Sequence, residues 1–355
     1  MSLISLAILA DDLTGALDAA VPFAAGRMRV VVATRPEAAV RAAASGAPVI
    51  AVALNSREGS ADEAIRKTAL ALEGLPPGVP LFRKVDSRLK GHVGAELAAT
   101  ARGAGLRRVL LCPAIPAFGR GVRDGAVMGF GVDQPIDVAA AARWPDGPEV
   151  LVPDAETDAA LDALLRDLPS DVLPAGASGL AAALARRMGC DQPRAVALPL
   201  PRPAALLIGS RDPITLAQVA TLVAAAPGMA CVSAPDGLPD APAPEAALAL
   251  LQATAGAGLP PDQVGARLAS AFAKGWVTGR KAMVLTGGET AAAVLAALGA
   301  DLLQIEGQAL PGLPAARALD FPGAPLIVTK SGGFGTPDTL CRLLGEVGMN
   351  TGQAG

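Results

Sequence analysis

Residues 5–20 read SLAILADDLTGALDAA: an apolar segment, two adjacent aspartates, and then a stretch that favours a helix. Because the apolar segment has no polar alternation, it predicts a β-strand buried on both faces. Asp11 and Asp12 lie in the turn between strand and helix. A buried strand that leads through a short turn into a helix is the building unit of parallel α/β sheets, so this stretch favours that fold.

The same pattern recurs along the chain and sets the fold class. Further apolar runs follow in the order RVVVAT, VIAVAL, PLFRKV, RRVLLC, EVLV, AALLIG, AMVLTG and PLIVTK. The segments between them predict helices over 58–74, 92–104, 156–168, 177–188, 214–226, 262–278, 289–298 and 336–347. This alternation predicts an α/β protein of mainly parallel sheets, each flanked by helices in a Rossmann-like, three-layer arrangement.

Two domains are expected from the length and from one proline-rich segment. The chain has 355 residues, more than the ~100–200 of a usual single domain. Four prolines crowd into DQPRAVALPLPRP, residues 191–203, and proline disfavours helices and central strands. We therefore place the boundary there, with domains over residues 1–195 and 204–355. A second proline-rich stretch, residues 234–245, predicts a surface loop.

Composition argues against several functions. The 30 basic and 33 acidic residues are interspersed, so no sustained basic stripe marks a nucleic-acid site. No apolar run reaches the ~18–20 residues that span a bilayer, and an apolar start without a preceding Lys or Arg predicts a strand rather than a signal peptide. One histidine and four scattered cysteines disfavour a metal cluster, a disulfide framework and a His-based hydrolase. We expect a cytoplasmic protein without nucleic-acid or membrane partners and without a dedicated metal site.

Three polar clusters in the first half could carry chemistry. Asp11 and Asp12 follow the first strand, where parallel sheets bind ligands, although one of them could instead cap the helix. KVDSRLKGH, residues 84–92, combines groups suited to a carboxylate and vicinal hydroxyls, with a solvated turn as the alternative. Arg120 follows PAIPAFG, residues 113–119, which could aim its guanidinium at an anion or form an ordinary loop.

Two glycine-rich turns lie in the second half. TGGET, residues 286–290, and KSGGFG, residues 330–335, each follow an apolar run and precede a predicted helix. Glycines let backbone N–H groups approach phosphates, helix N-termini favour anions, and Lys330 would supply a cation. Neither turn is a Walker A loop or a G-x-G-x-x-G fingerprint. In GSRDPITLAQ, residues 209–218, Ser210 and Thr215 could cap a helix or hold a nucleotide.

Taken in order, these motifs resemble one family, the four-carbon acid sugar kinases, also known as YgbK-like or DUF1537 proteins. The resemblance runs through DDLTGALD at 11–18, KVDSRLKGH at 84–92, PAIPAFGR at 113–120, AGASGLA at 175–181, GSRDPITLAQ at 209–218, TGGETA at 286–291 and KSGGFG at 330–335. It covers essentially the whole chain. It implies an acid-sugar-binding domain over 1–195 and a nucleotide-binding domain over 204–355, with ATP phosphorylating the terminal hydroxyl of threonate, erythronate or 3-oxo-tetronate.

The resemblance also implies roles for individual residues. The catalytic residues would be Asp12 and Asp86, and an aspartate of the 11–12 pair or Asp86 would accept the hydroxyl proton. The substrate would be bound by Asp11, Lys84, Ser87 and Arg120. ATP would be held by Ser210, Gly287, Gly288, Glu289, Thr290, Lys330, Gly332 and Gly333, with Mg²⁺ bound mostly through phosphates and water. The chain departs from the family pattern at Lys90, Asp212 and Gln308, where Arg, Ser and an acidic residue are usual.

Two alternatives to a kinase remain at the level of sequence. The departures at Asp212 and Gln308 keep open a catalytically silent sensor that binds acid sugar and nucleotide, whereas the aspartates at 11, 12 and 86 favour the enzyme. A nicotinamide-dependent oxidoreductase would need a dinucleotide fingerprint that the sequence lacks. We therefore predict an ATP-dependent enzyme of carbohydrate metabolism whose partners are a small sugar acid and ATP, with a homodimer as one candidate assembly.

Overall fold

The structure, a computed structural model, describes residues 4–26, 28–321 and 323–346. The chain divides into two compact units, of which the first comprises Met1–Arg194 and Asp301–Ile305 and the second comprises Ala195–Ala300 and Glu306–Gly355. Each unit is a mainly parallel sheet flanked by helices, so the predicted fold class is confirmed. Segment 301–305 is assigned to the first unit, unlike in the sequence prediction, because residues 302–304 pair antiparallel with Val30–Ala33.

Strands and helices alternate along the first unit. Its strands are β1 (Leu6–Ala10), β2 (Val30–Ala33), β3 (Val49–Ala53), β4 (Leu81–Lys84), β5 (Arg108–Cys112), β6 (Arg120–Arg123), β7 (Ala126–Gly129), β8 (Ile136–Asp137), β9 (Glu149–Leu151) and β10 (Val172–Gly176). Its helices are α1 (Leu13–Ala20), α2 (Ala39–Ala44), α3 (Ala61–Glu73), α4 (Val93–Gly103), α5 (Val138–Ala141), α6 (Asp158–Arg166) and α7 (Ser178–Arg187).

The sheet order in the first unit brings three polar turns to one edge. The parallel strands lie in the order β2-β3-β1-β4-β10-β5-β9. β1 is the neighbour of both β3 and β4, and in the register Ala10 lies beside Ala53 on one side and Lys84 on the other. Strands β1 to β4 are buried along their whole length, as parallel strands covered by helices on both faces must be. The residues that follow β1, β3 and β4 therefore meet at the carboxyl edge.

A small antiparallel sheet, β6-β7-β8, follows β5. The sequence does not predict it, because its strands are short and interrupted by Gly, Asp and Pro. Gly129 adopts a φ of +103°, and a Cβ at this position would lie 2.0 Å from the carbonyl oxygen of Gly119. Only glycine allows so close an approach of the two backbones. This packing fixes the start of β6, which carries Arg120.

The second unit repeats the parallel plan with an antiparallel extension. Its strands are β11 (Ala204–Ile208), β12 (Ala230–Pro235), β13 (Leu248–Thr254), β14 (Ala282–Thr286), β15 (Leu302–Leu310, of which residues 306–310 belong here), β16 (Leu313–Ala318) and β17 (Leu326–Lys330). Its helices are α8 (Pro213–Ala225), α9 (Pro261–Gly275), α10 (Gly288–Ala297) and α11 (Thr339–Leu344). The strands β12-β13-β11-β14-β17 are parallel neighbours, and β16 pairs antiparallel with β17.

The sequence did not separate β12 and β13 from their surroundings. In β12 only Val232 and Ala234 are buried, because this strand lies at the edge of the sheet. The predicted surface loop at 234–245 therefore begins only after Pro235, the last residue of β12. Within the described residues, no helix has the length and apolar character needed to cross a membrane.

Candidate functional site

At the carboxyl edge of the first unit, three carboxylates surround one guanidinium. Arg57 Nε and Nη2 lie 2.8 and 2.7 Å from Asp11 Oδ2. Its Nη1 lies 2.9 Å from Asp12 Oδ2, and its Nη2 lies 3.7 Å from Asp86 Oδ2. The aspartates follow β1 and β4, and Arg57 follows β3, which the sheet order places next to β1. The structure thus joins three of the predicted site residues through a fourth residue that was not predicted.

The charge of Arg57 governs the ionisation of this cluster. Burial alone would lower the pKa of Arg57, but Asp11, Asp12 and Asp86 outweigh it and raise the pKa. Burial would likewise raise the pKa of Asp86, but the Arg57 charge and the N–H groups of Arg88 and Lys90 lower it. Arg57 could have been found from LNSREG, residues 54–59, because these polar residues follow a buried strand directly.

Asp12 caps helix α1, which is one of the two roles that the sequence left open for these aspartates. Its Oδ1 accepts a 2.7 Å hydrogen bond from Gly15 N and so caps α1, and its Oδ2 accepts one of 2.8 Å from Thr14 Oγ1. Asp11 differs, since its side chain is buried and its Oδ1 has no partner among the described residues. A buried, unpaired carboxylate oxygen is costly unless a ligand supplies a donor. Asp11 Oδ1 is thus the open acceptor of the cluster.

Lys84 supplies an open donor beside it. The side chain is buried, and among the described residues its ammonium donates only to the carbonyl of Val85, at 2.8 Å. A lysine ammonium has three N–H protons, so two remain for a ligand. A Cβ placed on Gly15 would lie 2.6 Å from Asp12 Oδ1, 3.1 Å from Lys84 Nζ and 3.6 Å from Asp11 Oδ1. Gly15 therefore keeps open a small cradle in which these polar groups converge.

The remaining substrate-site candidates, Ser87 and Arg120, contact each other. Arg120 Nη1 donates to Ser87 Oγ at 2.5 Å, while Nε and Nη2 donate to the carbonyl of Phe130 at 3.1 and 2.6 Å. Ser87 follows β4 and Arg120 begins β6. The small antiparallel sheet thus brings the Arg120 guanidinium to the segment 84–92, and its role in substrate binding stays a prediction.

A buried ion pair is connected to the cluster through Ser56. The side chains of Arg83 and Glu96 are almost fully buried, and Arg83 Nη2 lies 2.6 Å from Glu96 Oε2. Ser56 donates its hydroxyl proton to Glu96, and its backbone N–H donates to the carbonyl of Asp11 at 2.9 Å. Ser56 precedes Arg57, so this network fixes the backbone from which the guanidinium extends. Nothing in the sequence distinguishes this pair from other charges on a strand and a helix.

In the second unit, the predicted glycine turns meet at the carboxyl ends of β11, β14 and β17. Gly287 adopts a φ of +90° at the start of α10, and its N–H donates to the carbonyl of Lys330 at 2.9 Å. A Cβ on Gly209 would lie 2.1 Å from Thr290 Oγ1. Gly288 and Glu289 form the first turn of α10. Three separate segments therefore form one turn-lined edge.

The turn after β17 lies against the start of α8. A Cβ on Gly332 would lie 2.4 Å from Ser210 Oγ, and one on Gly333 would lie 3.1 Å from Asp212 Oδ2. The helix cap is Asp212, whose Oδ1 accepts from Ile214 N at 2.9 Å. Ser210 instead accepts a 3.2 Å bond from the N–H of Asp212. Gly332 therefore lies close to Ser210 and Gly333 close to Asp212, and their role in nucleotide binding stays a prediction.

Lys330 is completely buried, and its ammonium faces protein oxygens. Burial lowers its pKa to about 8, and the charge of Asp212 opposes that shift. Its Nζ lies 3.0 Å from Thr215 Oγ1 and 2.9, 3.0 and 3.1 Å from the carbonyl oxygens of Ser331, Gly332 and Phe334. This arrangement differs from a lysine that extends toward a ligand.

A cavity of about 490 Å³ opens beside these turns. Its wall is mainly apolar and includes Leu259, Val264 and Leu268, and its polar groups include Arg211, Asp236, Asp262, Glu289 and Thr290. Asp236 holds part of the wall, because its carboxylate accepts a 2.6 Å bond from Ala257 N and longer bonds from the next two N–H groups. Within the described residues, no group of three or more His, Cys, Asp or Glu is placed to hold a metal ion.

Comparisons with known proteins agree with the resemblance seen in the sequence. The sugar-binding N-terminal domain family matches residues 6–145, and the nucleotide-binding C-terminal domain family matches residues 239–340. The D-threonate kinase of Bordetella bronchiseptica is 32% identical over 95% of this chain and 96% of its own. The 3-oxo-tetronate kinase of Methylobacterium radiotolerans is 28% identical over 96% of this chain and 99% of its own.

A solved structure supports the fold independently. A Haemophilus influenzae protein of the DUF1537 family superposes with a TM-score of 0.64 and 20% identity, and it covers 94% of this chain and 97% of its own. At that identity the likeness concerns the fold alone. The 32% identity to the D-threonate kinase over 95% of this chain and the two domain-family matches show that the chain belongs to the four-carbon acid sugar kinase family.

Proposed function

We propose that this chain transfers the terminal phosphoryl group of ATP to the terminal hydroxyl of a four-carbon sugar acid of the threonate, erythronate or 3-oxo-tetronate type. The observation that carries the proposal is the open cradle at Gly15. There, buried Asp11 Oδ1 has no partner among the described residues, and buried Lys84 has two N–H protons to spare. A small ligand that offers both a hydroxyl and an anionic group satisfies them together.

The charges around the cradle suit an acid sugar. Asp11 Oδ1 would accept from a substrate hydroxyl, and Lys84 with Arg120 would bind the carboxylate. Ser87, which holds Arg120 at 2.5 Å, would complete the polar wall. Four-carbon acids should be tested first, because the similar proteins are named as D-threonate and 3-oxo-tetronate kinases.

Asp12 and Asp86 are the proposed proton acceptors, and the geometry favours Asp86. Both oxygens of Asp12 are engaged by the helix cap, Thr14 and Arg57. Asp86 uses Oδ1 for the N–H groups of Arg88 and Lys90, while the nearest Arg57 nitrogen to Oδ2 is 3.7 Å away. Its lowered pKa keeps it ionised near neutral pH. Since phosphoryl transfer demands positioning more than a strong base, an ionised aspartate of low basicity suffices.

The nucleotide would lie in the second unit. The 490 Å³ cavity with its apolar wall suits a purine base. The turns at Ser210, Gly287 to Thr290, and Gly332 to Gly333 would receive the phosphates beside it, because glycine backbones and helix N-termini favour anions. With no cluster of three metal-binding side chains in the described part, the protein fits a Mg²⁺ ion held mainly by phosphates and water. Such an ion would neutralise charge on the transferred group.

The test is ADP release by the purified chain with Mg²⁺, ATP and a panel of D-threonate, D-erythronate and 3-oxo-tetronate. We expect turnover with one member, and a loss of roughly 100-fold or more in Asp86→Asn and Lys84→Met. Lys274→Met serves as the matched control, since Lys274 is exposed in the last turn of α9 in the second unit. ATP binding without turnover on any acid would contradict the kinase and favour a sensor. Turnover that survives Asp86→Asn would remove Asp86 from the chemistry.

A further inference from the structure

The carbonyl groups of the turn after β17 point toward the buried side chain of Lys330. The carbonyl oxygens of Ser331, Gly332 and Phe334 all lie within 3.1 Å of Lys330 Nζ. Thr215 Oγ1 donates to the carbonyl of Gly332 at 2.7 Å. The side-chain amide of Gln218, one turn further along α8, donates to the carbonyls of Phe334 and Thr336 at 2.9 and 3.0 Å. Three buried side chains thus collect the carbonyls of this turn.

Lys330 has no proton left for a ligand in this arrangement. A lysine ammonium carries three N–H protons, and four oxygens lie within hydrogen-bonding distance of its Nζ. The side chain is completely buried. A phosphate could reach the ammonium only if these contacts broke first.

The inward carbonyls determine where the N–H groups point. In a trans peptide the C=O of one residue and the N–H of the next are coplanar and point in opposite directions. Since the carbonyls of residues 331, 332 and 334 point inward, the N–H groups of Gly332, Gly333 and Gly335 point outward. None of these three N–H groups has a partner among the described residues. All three belong to glycines, which offer no side chain that would block a ligand.

We propose that Lys330 is a positioning residue that never touches the nucleotide, and that the phosphates are bound by the outward N–H groups of Gly332, Gly333 and Gly335. The inference deepens the proposed nucleotide site and rests on that function for the identity of the ligand. Backbone N–H groups of a turn that have no protein partner can bind anions, and we call these three groups the nest. The buried positive charge beneath the nest adds to its attraction for phosphate.

The probe is inorganic tripolyphosphate, titrated into the full chain labelled with ¹⁵N-glycine. In the wild type, tripolyphosphate is expected to shift the NMR signals of the Gly332, Gly333 and Gly335 amides. Lys330→Met removes the cation that collects the carbonyls, and it should weaken binding by about 30-fold or more. Thr215→Val removes one bond to the carbonyl of Gly332 without changing charge, and it should weaken binding by about fivefold. Lys281→Met, an exposed lysine just before β14, is the charge-matched control and should bind like the wild type.

Two results would overturn the proposal. One is that tripolyphosphate leaves the three glycine amides unmoved in the wild type. The other is that Thr215→Val binds as tightly as the wild type while Lys330→Met does not, because that pattern assigns direct phosphate contact to the lysine. Thr215→Val keeps the test informative if Lys330→Met fails to fold. The readout is independent of turnover, so a chain that binds tripolyphosphate in this way but phosphorylates no acid would support the nest and refute the kinase.

Discussion

Replacing Arg57 with methionine tests the carboxylate cluster of the first unit most directly. Methionine keeps much of the apolar stem and removes the guanidinium that lies 2.7 Å from Asp11, 2.9 Å from Asp12 and 3.7 Å from Asp86. The three carboxylates then share one edge of the sheet without their counter-ion. Neighbouring like charges oppose ionisation, so in the variant the base should ionise only at higher pH and the substrate-binding carboxylate should be misplaced.

The magnitude follows from burial. Arg57 is 23% exposed and Asp11 only 1%, so the pair is largely shielded from water. Removing one partner of a buried ion pair costs about 3–5 kcal/mol, and the partial exposure of Arg57 favours the lower end of that range. That cost is one of folding stability; a loss of transition-state stabilisation of the same size, about 3 kcal/mol, corresponds to a fall in kcat/KM of roughly 100-fold, which is the result expected here. The pKa of Asp86 should rise at the same time, since burial raises it and the Arg57 charge that opposed burial is gone.

The assay is kcat/KM for the best four-carbon acid between pH 5 and 9. The wild type keeps Asp86 ionised to low pH, so its activity should fall only at the acid end. In Arg57→Met this acid limb should move upward by about one pH unit or more. The matched control is Arg108→Met, which breaks another Arg–Asp pair, the one with Asp171, at an exposed position. An acid limb that stays in place in Arg57→Met would refute the role given to this cation.

Three further predictions address other charges. Burial raises the pKa of Asp18 from 3.8 to about 7. Between pH 3.8 and pH 7 the unfolded chain therefore binds fewer protons than the folded chain, so the free energy of unfolding falls as the pH rises. Asp18→Asn should therefore melt roughly 5 °C or more above the wild type at pH 8 but not at pH 4, and equal melting at pH 8 would contradict this. Arg120→Met should raise KM for the acid by about tenfold and leave KM for ATP unchanged, whereas Arg123→Met on the same strand should change neither constant. Asp212→Ser keeps a helix cap but removes a carboxylate beside Gly333. Without that negative charge, metal-free ATP should bind several-fold more tightly in calorimetry with EDTA. An unchanged affinity would show that Asp212 does not repel the phosphates.

In the first unit, the sequence was informative where structure is local. The strands and helices around Asp11, Asp12 and residues 84–92 follow from apolar runs and polar turns, and the structure brings these segments together at one edge. Their roles in binding and catalysis stay predictions. Arg57 escaped notice because its importance depends on β3 lying next to β1, an order that the chain sequence does not state. The buried Arg83–Glu96 pair depends on tertiary packing in the same way.

In the second unit, the glycine turns were recognised but their internal arrangement was not. The sequence places Lys330 beside a glycine-rich turn, and proximity alone suggested a cation directed at phosphate. Whether a lysine faces a ligand or its own backbone depends on the carbonyl directions of the turn and on Thr215, which is 115 positions away in the chain. The cavity beside the turn was missed because much of its wall comes from the segments around 236 and 253–268, which carry no motif.

Lys84 and Lys330 occupy the same structural position but have different hydrogen-bond surroundings. Each is the buried last residue of a parallel strand and is followed by a polar turn at the carboxyl edge. Lys84 donates to one oxygen among the described residues, and Lys330 has four within reach. A buried ammonium with unused protons requires an external acceptor, whereas one whose protons are all used fixes the chain around it. The number of acceptors around each lysine, rather than its place in a motif, is therefore the reason that we propose a ligand-binding role for Lys84 and a positioning role for Lys330.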